Sequence, residues 1–164
     1  MKTVWIIRHA KSVQGSAVLT DFDRGLRTDR RDDIKWVVDA AAKLGYPVPE
    51  WIIHSSAVRT TETARLLSQN GDTTPLLIPD PDLYLADEQQ IEHTLSILPD
   101  ELSSAALVAH NPGITDFVGT FSPNQIDTIP TAGTVILEIE KWADIRDKKR
   151  VKWLAFFKPK DLRP

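Results

Sequence analysis

The stretch Val4-Trp5-Ile6-Ile7-Arg8-His9-Ala10-Lys11-Ser12 decides the fold. Its first four residues are a continuous apolar run rich in β-branched side chains, the pattern of a strand covered on both faces. The run stops abruptly at an arginine and a histidine. The same change recurs twice. Trp51-Ile52-Ile53 runs into His54-Ser55-Ser56, and Ala105–Ala109 runs into His110-Asn111-Pro112-Gly113. Ligands of open parallel sheets bind at the carboxyl ends of strands, so the three segments are expected to converge on one crevice.

Helix-like segments separate these strands. Residues 30–44 read as an amphipathic helix with Ile34, Val37, Val38, Ala41 and Leu44 on one side and Gly45 as its stop. A helix from about Val58 to Gln69 follows the second strand, with Ser55 and Ser56 placed to cap it. Leu76-Leu77-Ile78 is a short strand among prolines at 75, 79 and 81, suited to an edge or a loop. Another helix runs from about Glu88 to Leu98, and Pro112 suits the first turn of a helix reaching Phe117 and Val118. Val135–Ile139 and Val151–Phe157 read as a hairpin across the charged stretch Lys141–Arg150. Alternating strands and helices predict a layered α/β domain with a mostly parallel sheet.

The chain has 164 residues, 41% hydrophobic and 26% charged, as expected of one globular domain spanning 1–164. It contains no cysteine, which excludes a disulfide scaffold, a thiolate zinc site and a cysteine nucleophile. The net charge of −3 argues against nucleic acid as a partner. No segment reads as a signal peptide or a membrane span, so a cytoplasmic protein without a membrane partner is expected, and nothing demands more than a monomer.

The three strand ends carry the chemistry. In Arg8-His9, a guanidinium offers a rigid fork to anionic oxygens, and an imidazole can serve as nucleophile through a phosphohistidine. The plainer alternative is a surface ion pair beside a strand end. Segment 54–64 sets hydroxyls and Arg59 at a helix start, where free amides attract anions. Alone, it reads more simply as a capped helix with Arg59 paired to Glu62. His110 could balance charge on a phosphoryl oxygen, or stand in an ordinary turn. A metal held by His9, His54 and His110 is conceivable, but carboxylate ligands are missing nearby and the arginines would repel a cation. The five tryptophans read as core, His93 as a surface residue, and Arg146–Arg150 with Lys152 as a solvated turn.

Taken together, Arg8-His9-Ala10, Asp21-Phe22-Asp23-Arg24-Gly25-Leu26, Ser55–Ala64, Leu83-Tyr84-Leu85-Ala86 and Val108–Gly113 resemble the histidine phosphatase superfamily. The His-Asn-Pro-Gly and Leu-Tyr-x-Ala forms and the short length are similar to its SixA-type phosphohistidine phosphatase branch. The resemblance implies a three-layer α/β/α sandwich of the phosphoglycerate mutase-like kind, with no metal and no cofactor. It implies His9 as the nucleophile, Arg8, Arg24 and Arg59 as phosphate-binding arginines, and His110 as the second pocket histidine. The chain departs from the family at Gly25, where proline is usual, and at Arg30, where glycine is usual. Arg27 replaces a common capping residue, so Thr28 or Asp29 is expected to cap the next helix instead.

A general acid is harder to place. Asp87 and Glu88 fall where relatives carry a glutamate, though a capped acidic helix turn accounts for them as well. Asp21 is a further candidate, either as acid or as the residue that orients Arg24. Phosphoramidates need less acid help, since imidazole leaves more readily than an alkoxide. The expected activity is therefore metal-independent phosphatase chemistry on a phosphorylated substrate, with a phosphohistidine-bearing protein domain favoured. The alternatives are a small-molecule phosphomonoesterase or mutase, and a phosphate-binding module without turnover. Residues 13–23 and 121–133 should form the rim, and the lack of a long lid favours an open site.

Overall fold

The computed structural model describes all of residues 1–164. Strands β1 (Lys2–Arg8), β2 (Trp51–Ser55), β3 (Leu76–Asp80), β4 (Ser104–Ala109), β5 (Thr134–Ile139) and β6 (Lys152–Phe157) form one sheet in the order β3-β2-β4-β1-β5-β6. The first four run parallel, while β5 is antiparallel to β1 and β6 to β5. The prolines beside β3 are consistent with its place at one edge, because Pro79 has no amide hydrogen to give a further strand.

Helices α1 (Asp32–Lys43) and α2 (Val58–Asn70) pack together on one face with the short C-terminal α5 (Pro159–Leu162) against α1. Helices α3 (Glu88–Ser96) and α4 (Gly113–Gly119) pack together on the other. Each face has its own core. Ile34, Val37, Val38, Ala41, Ala64 and Leu67 meet Trp5, Ile7, Ile52 and Val108 on the first. Ile91, Leu95, Ile114 and Phe117 meet Val4, Ile6, Leu107 and Val135 on the second. The two-residue period of the strands thus sends alternate side chains into opposite cores, which is why Val4–Ile7 is apolar throughout and fully buried. This is a three-layer α/β/α sandwich.

Several local expectations change. Leu44 lies past the end of α1 and is exposed, and Gly45 adopts the left-handed φ of +84° that ends the helix. Neither Thr28 nor Asp29 caps α1. Residues Thr28–Arg30 form a 3-10 turn, and Asp29 instead takes both donors of the Arg27 fork. Ser55 and Ser56 do not cap α2, whose N-cap is Ala57 with no side-chain bond. In the β5–β6 connection Arg146–Arg150 and Lys152 are exposed, as expected of a solvated turn. The connection folds into two 3-10 turns, Trp142–Arg146 and Lys148–Arg150, and buries Trp142 and Ile145 in the second core. Trp142 also donates from its indole nitrogen to the carbonyl of Leu102 at 3.0 Å. The basic residues around it face outward, with Arg150 paired to Asp144 and Asp147. No helix is long and apolar enough to cross a membrane.

Candidate active site

The order β2-β4-β1 makes the carboxyl ends of the three signal-bearing strands neighbours. Arg8 is in register with Ala109, so His9 and His110 each begin one residue beyond a paired position. The amide of His9 donates to the carbonyl of Ala109 at 3.2 Å, and Ala132 donates to the carbonyls of both Arg8 and His9. The backbone under His9 is thereby clamped from two sides.

His9, Arg59 and His110 are 6%, 2% and 2% exposed, and the two imidazoles lie 5.5 Å apart between ring centroids. His9 Nδ1 lies 2.7 Å from the carbonyl oxygen of Ala10. A carbonyl only accepts, so Nδ1 carries the hydrogen and Nε2 keeps a free lone pair. Burial pushes the His9 pKa down to about 3, and the charges of His110, Arg59 and Arg8 push the same way against the Ala10 bond. The ring is therefore neutral near pH 7, the form in which it can attack an electrophile. His110 is pushed down to about 4, chiefly by burial and then by Arg59. Its Nε2 lies 2.8 Å from Ser55 Oγ.

Arg59 is not paired with Glu62. Its two terminal nitrogens donate to the backbone and carboxylate oxygens of Asp21 at 2.7 and 3.1 Å. Glu62 instead accepts from the amide of Leu26 and from Arg31. A Cβ at Gly25 would stand 2.6 Å from Glu62 Oε1, the movable end of that side chain. Arg24 donates to Asp21 Oδ1 through two nitrogens, and also to Ser12 Oγ and the carbonyl of Val13. Arg8 donates to the carbonyl of Ile129 at 2.9 Å. Beyond these bonds, Arg8 Nε, Arg59 Nε and His110 Nδ1 are buried without any hydrogen-bond partner in the protein.

Asp21 ties the arginines together. It also accepts from the Tyr84 hydroxyl at 2.6 Å. That bond, with the help of Arg24 and Arg59, holds its carboxyl well below the usual carboxylate range. Asp21 is accordingly an anion that orients Arg24 and Arg59, with no proton to give near neutral pH. Glu88 is not brought to the site. It is exposed in the first turn of α3 and lines a depression with Phe117, Phe121 and Arg146. Asp87 is the N-cap of that helix, accepting from the amide of Gln90 at 2.9 Å.

Tyr84, Ser55 and Ser12 join the site without having been singled out from sequence as site residues. Tyr84 sets its ring edge-on against His110 at 5.5 Å and against Phe22 at 5.1 Å. Its position depends on Gly113, where a Cβ would fall 1.9 Å from the carbonyl oxygen of Ala86. The Leu-Tyr-x-Ala and His-Asn-Pro-Gly segments are thus two sides of one close contact. Asn111 holds the loop on the other side, donating to Thr128 Oγ1 and the carbonyl of Ile129, which Arg8 also uses.

An open cleft of about 430 Å³ leads to His9, with Arg8, Arg24, Lys11 and Arg27 in its wall. Arg59 and His110 lie behind this wall, Arg59 bonded to Asp21 and His110 against the edge of the Tyr84 ring. Nowhere do three histidine or carboxylate side chains come together in a way that could hold a metal ion.

No protein-family model matches the chain, and no curated protein matches it. Solved structures do. A candidate phosphohistidine phosphatase SixA from Agrobacterium tumefaciens matches with a TM-score of 0.81 at 22% identity, over 96% of this chain and 98% of that one. Its counterpart from Nakamurella multipartitia gives 0.78 at 20% identity, over 96% of each chain. The protein histidine phosphatase SixA complexed with tungstate gives 0.80 at 17% identity, over 98% and 99%. The sandwich is therefore the phosphoglycerate mutase-like fold of these proteins.

Proposed function

We propose that the chain is a phosphatase of the histidine phosphatase superfamily that works through a phosphohistidine on His9, with phosphohistidine borne by a protein as its substrate. The observation that carries this reading is the set of three buried polar nitrogens without a hydrogen-bond partner, Arg8 Nε, Arg59 Nε and His110 Nδ1, on the side chains that act on the pKa of His9. A buried donor left unpaired costs about 1–3 kcal/mol. A transferring phosphoryl group, with its charge spread over three equatorial oxygens, needs such donors. The similar structures, among them a protein histidine phosphatase in complex with tungstate, support the same chemistry.

In the first step the Nε2 lone pair of His9 attacks phosphorus, and the phosphorus–nitrogen bond of the substrate breaks. The electron pair returns to the substrate ring. With a proton already on its other nitrogen, that ring departs as neutral imidazole, so no carboxylic acid is required. The site supplies none, since Asp21 is an anion and Glu88 lies elsewhere. Water then attacks the phosphoryl group on His9, its proton passing to the phosphate released. His9 recovers its lone pair with Nδ1–H still on Ala10, the state in which it began. Asp21 keeps Arg24 and Arg59 in place through both steps.

The test is to mix the protein with a phosphohistidine protein carrying labelled phosphate, quench in alkali and map the label. Alkali-stable label on His9, with phosphohistidine turned over faster than common phosphomonoesters, is the expected result. Label on another residue would reject His9 as the nucleophile. Faster turnover of phosphomonoesters would favour a small-molecule phosphatase.

A further inference from the structure

We infer that Lys11 and Arg27 form a subsite for a second anionic group on the substrate, an acidic side chain of a phosphoprotein close to its phosphorylated residue. This rests on the phosphatase reading and assigns the part of the substrate that lies beyond the phosphoryl group.

The first observation is charge placed against composition. The chain has 23 acidic residues against 20 lysines and arginines, yet the cleft at His9 has Arg8, Lys11, Arg24 and Arg27 in its wall and no carboxylate. At about 430 Å³ it is the size of a ligand pocket and larger than a phosphoryl group requires. Two of the four cations are committed. Arg8 is held on Ile129, and Arg24 on Asp21, Ser12 and Val13. Lys11 is exposed and makes no ion pair, while Arg27 is exposed and paired only to the exposed Asp29. An exposed pair of that kind contributes little, so a substrate carboxylate can compete for Arg27.

The second observation is how the two cations are set. Ser12 and Leu26 form an isolated antiparallel bridge, and the amide of Arg27 donates to the carbonyl of Lys11 at 2.8 Å. Lys11 and Arg27 are the next residues along, so the bridge holds them across from one another. Like charges opposed across antiparallel strands destabilise the pairing. An anion between them removes that repulsion. Both side chains are exposed on an open cleft, which suits the surface of a protein better than a small molecule that needs to be enclosed.

The test uses the full chain and two phosphohistidine peptides, alike except that one has Asp and Glu around the histidine and the other Asn and Gln. N-phosphoryl imidazole, which has no carboxylate, is the third substrate. The unsubstituted protein should favour the acidic peptide by roughly fivefold to tenfold, mostly in KM, as expected for two exposed ion pairs. In a K11Q/R27Q double variant that preference should vanish while N-phosphoryl imidazole turns over as before. Equal rates on both peptides, or a loss spread evenly over all three substrates, would overturn the subsite. A small bisphosphate that competes more strongly than the acidic peptide would overturn the protein source. Calorimetric binding of the same peptides, with a phosphonate replacing the phosphoryl group, reads the preference without turnover. Failure of the phosphatase reading would show separately, as turnover unaffected by H9A.

Discussion

His9 and His54 begin as the same local structure. His9 follows the last residue of β1 and His54 is next to last in β2; each is buried, and each has Nδ1 within 2.8 Å of the carbonyl of the following residue. Burial lowers the pKa of both. They differ in what the sheet brings beside them. β1 sits between β4 and β5, so His9 acquires His110 from β4 and the field of Arg8 and Arg59. His54 shares a sheet face with Ile52 by the two-residue period, toward α1 and α2, where the charge that acts on it is Arg65 alone. A neutral, oriented imidazole is thus common to both. Only one of the two stands beside a second histidine and two arginines.

Substitution is the strongest way to break this pairing. H9A is expected to lower turnover by about 10³-fold or more, because a covalent route is lost. H54A should keep turnover within about twofold and instead lose roughly 1–3 kcal/mol of stability, as truncation of a buried side chain does. Comparable losses of turnover in the two would mean that strand-end position matters more than the neighbours. Next in size is R59M, expected to cost about 10²- to 10³-fold in kcat, as removal of one transition-state donor does. Unchanged kcat in R59M would remove Arg59 from the site.

Smaller effects sharpen the comparison. S55A deletes the hydroxyl that holds His110 Nε2, and a loss of one hydrogen bond predicts about a threefold to tenfold fall in kcat. The pH dependence separates activity from stability. His9 and His110, at about 3 and 4, are neutral well below the ordinary histidine value of 6.5, so the acid limb of kcat/KM should lie below pH 5. Stability should weaken earlier. The unfolded chain takes up protons on these histidines near 6.5 and the folded one does not, so their contribution is complete above that value. It is lost progressively as pH falls toward 4 and then 3. A melting temperature that is flat from pH 7 to 5 would contradict the burial argument for His9, His54 and His110 together.

Most of the fold was legible because the apolar runs were unambiguous. Val4–Ile7 and Ala105–Ala109 are apolar without interruption, as strands buried on both faces must be, and the prolines around Leu76–Ile78 marked an edge. The grouping of residues in the candidate site was legible at strand ends for His9 and His110, at a helix start for Arg59, and through the resemblance for Arg24. It was not legible where partners come from afar. Tyr84 reaches Asp21 across 63 positions, and no local pattern at either residue announces the bond. Ser55 looked like a helix cap because Ser before a helix normally is one, but its hydroxyl is 2.8 Å from His110. The pairing of Arg59 with Glu62 was reasonable from helix spacing, yet the loop carrying Asp21 competes for the arginine and the amide of Leu26 takes the glutamate. Trp142 reads as core from its type, but Ile145, three residues on along the same 3-10 turn, is hidden in a charged stretch.

The borders of the sheet have a consequence for how the protein behaves when crowded. On one side β3 has only five residues, with Pro79 inside it and Pro75 and Pro81 at its flanks. On the other, β6 opens with the exposed Lys152 and meets β5 with a register shift between Ile136 and Leu137. Prolines, charged residues and bulges each spoil an edge as a template for a strand from another molecule. A sheet whose interior is this apolar would otherwise invite stacking end to end. Both outer strands thus carry features that disfavour pairing with a strand of another molecule.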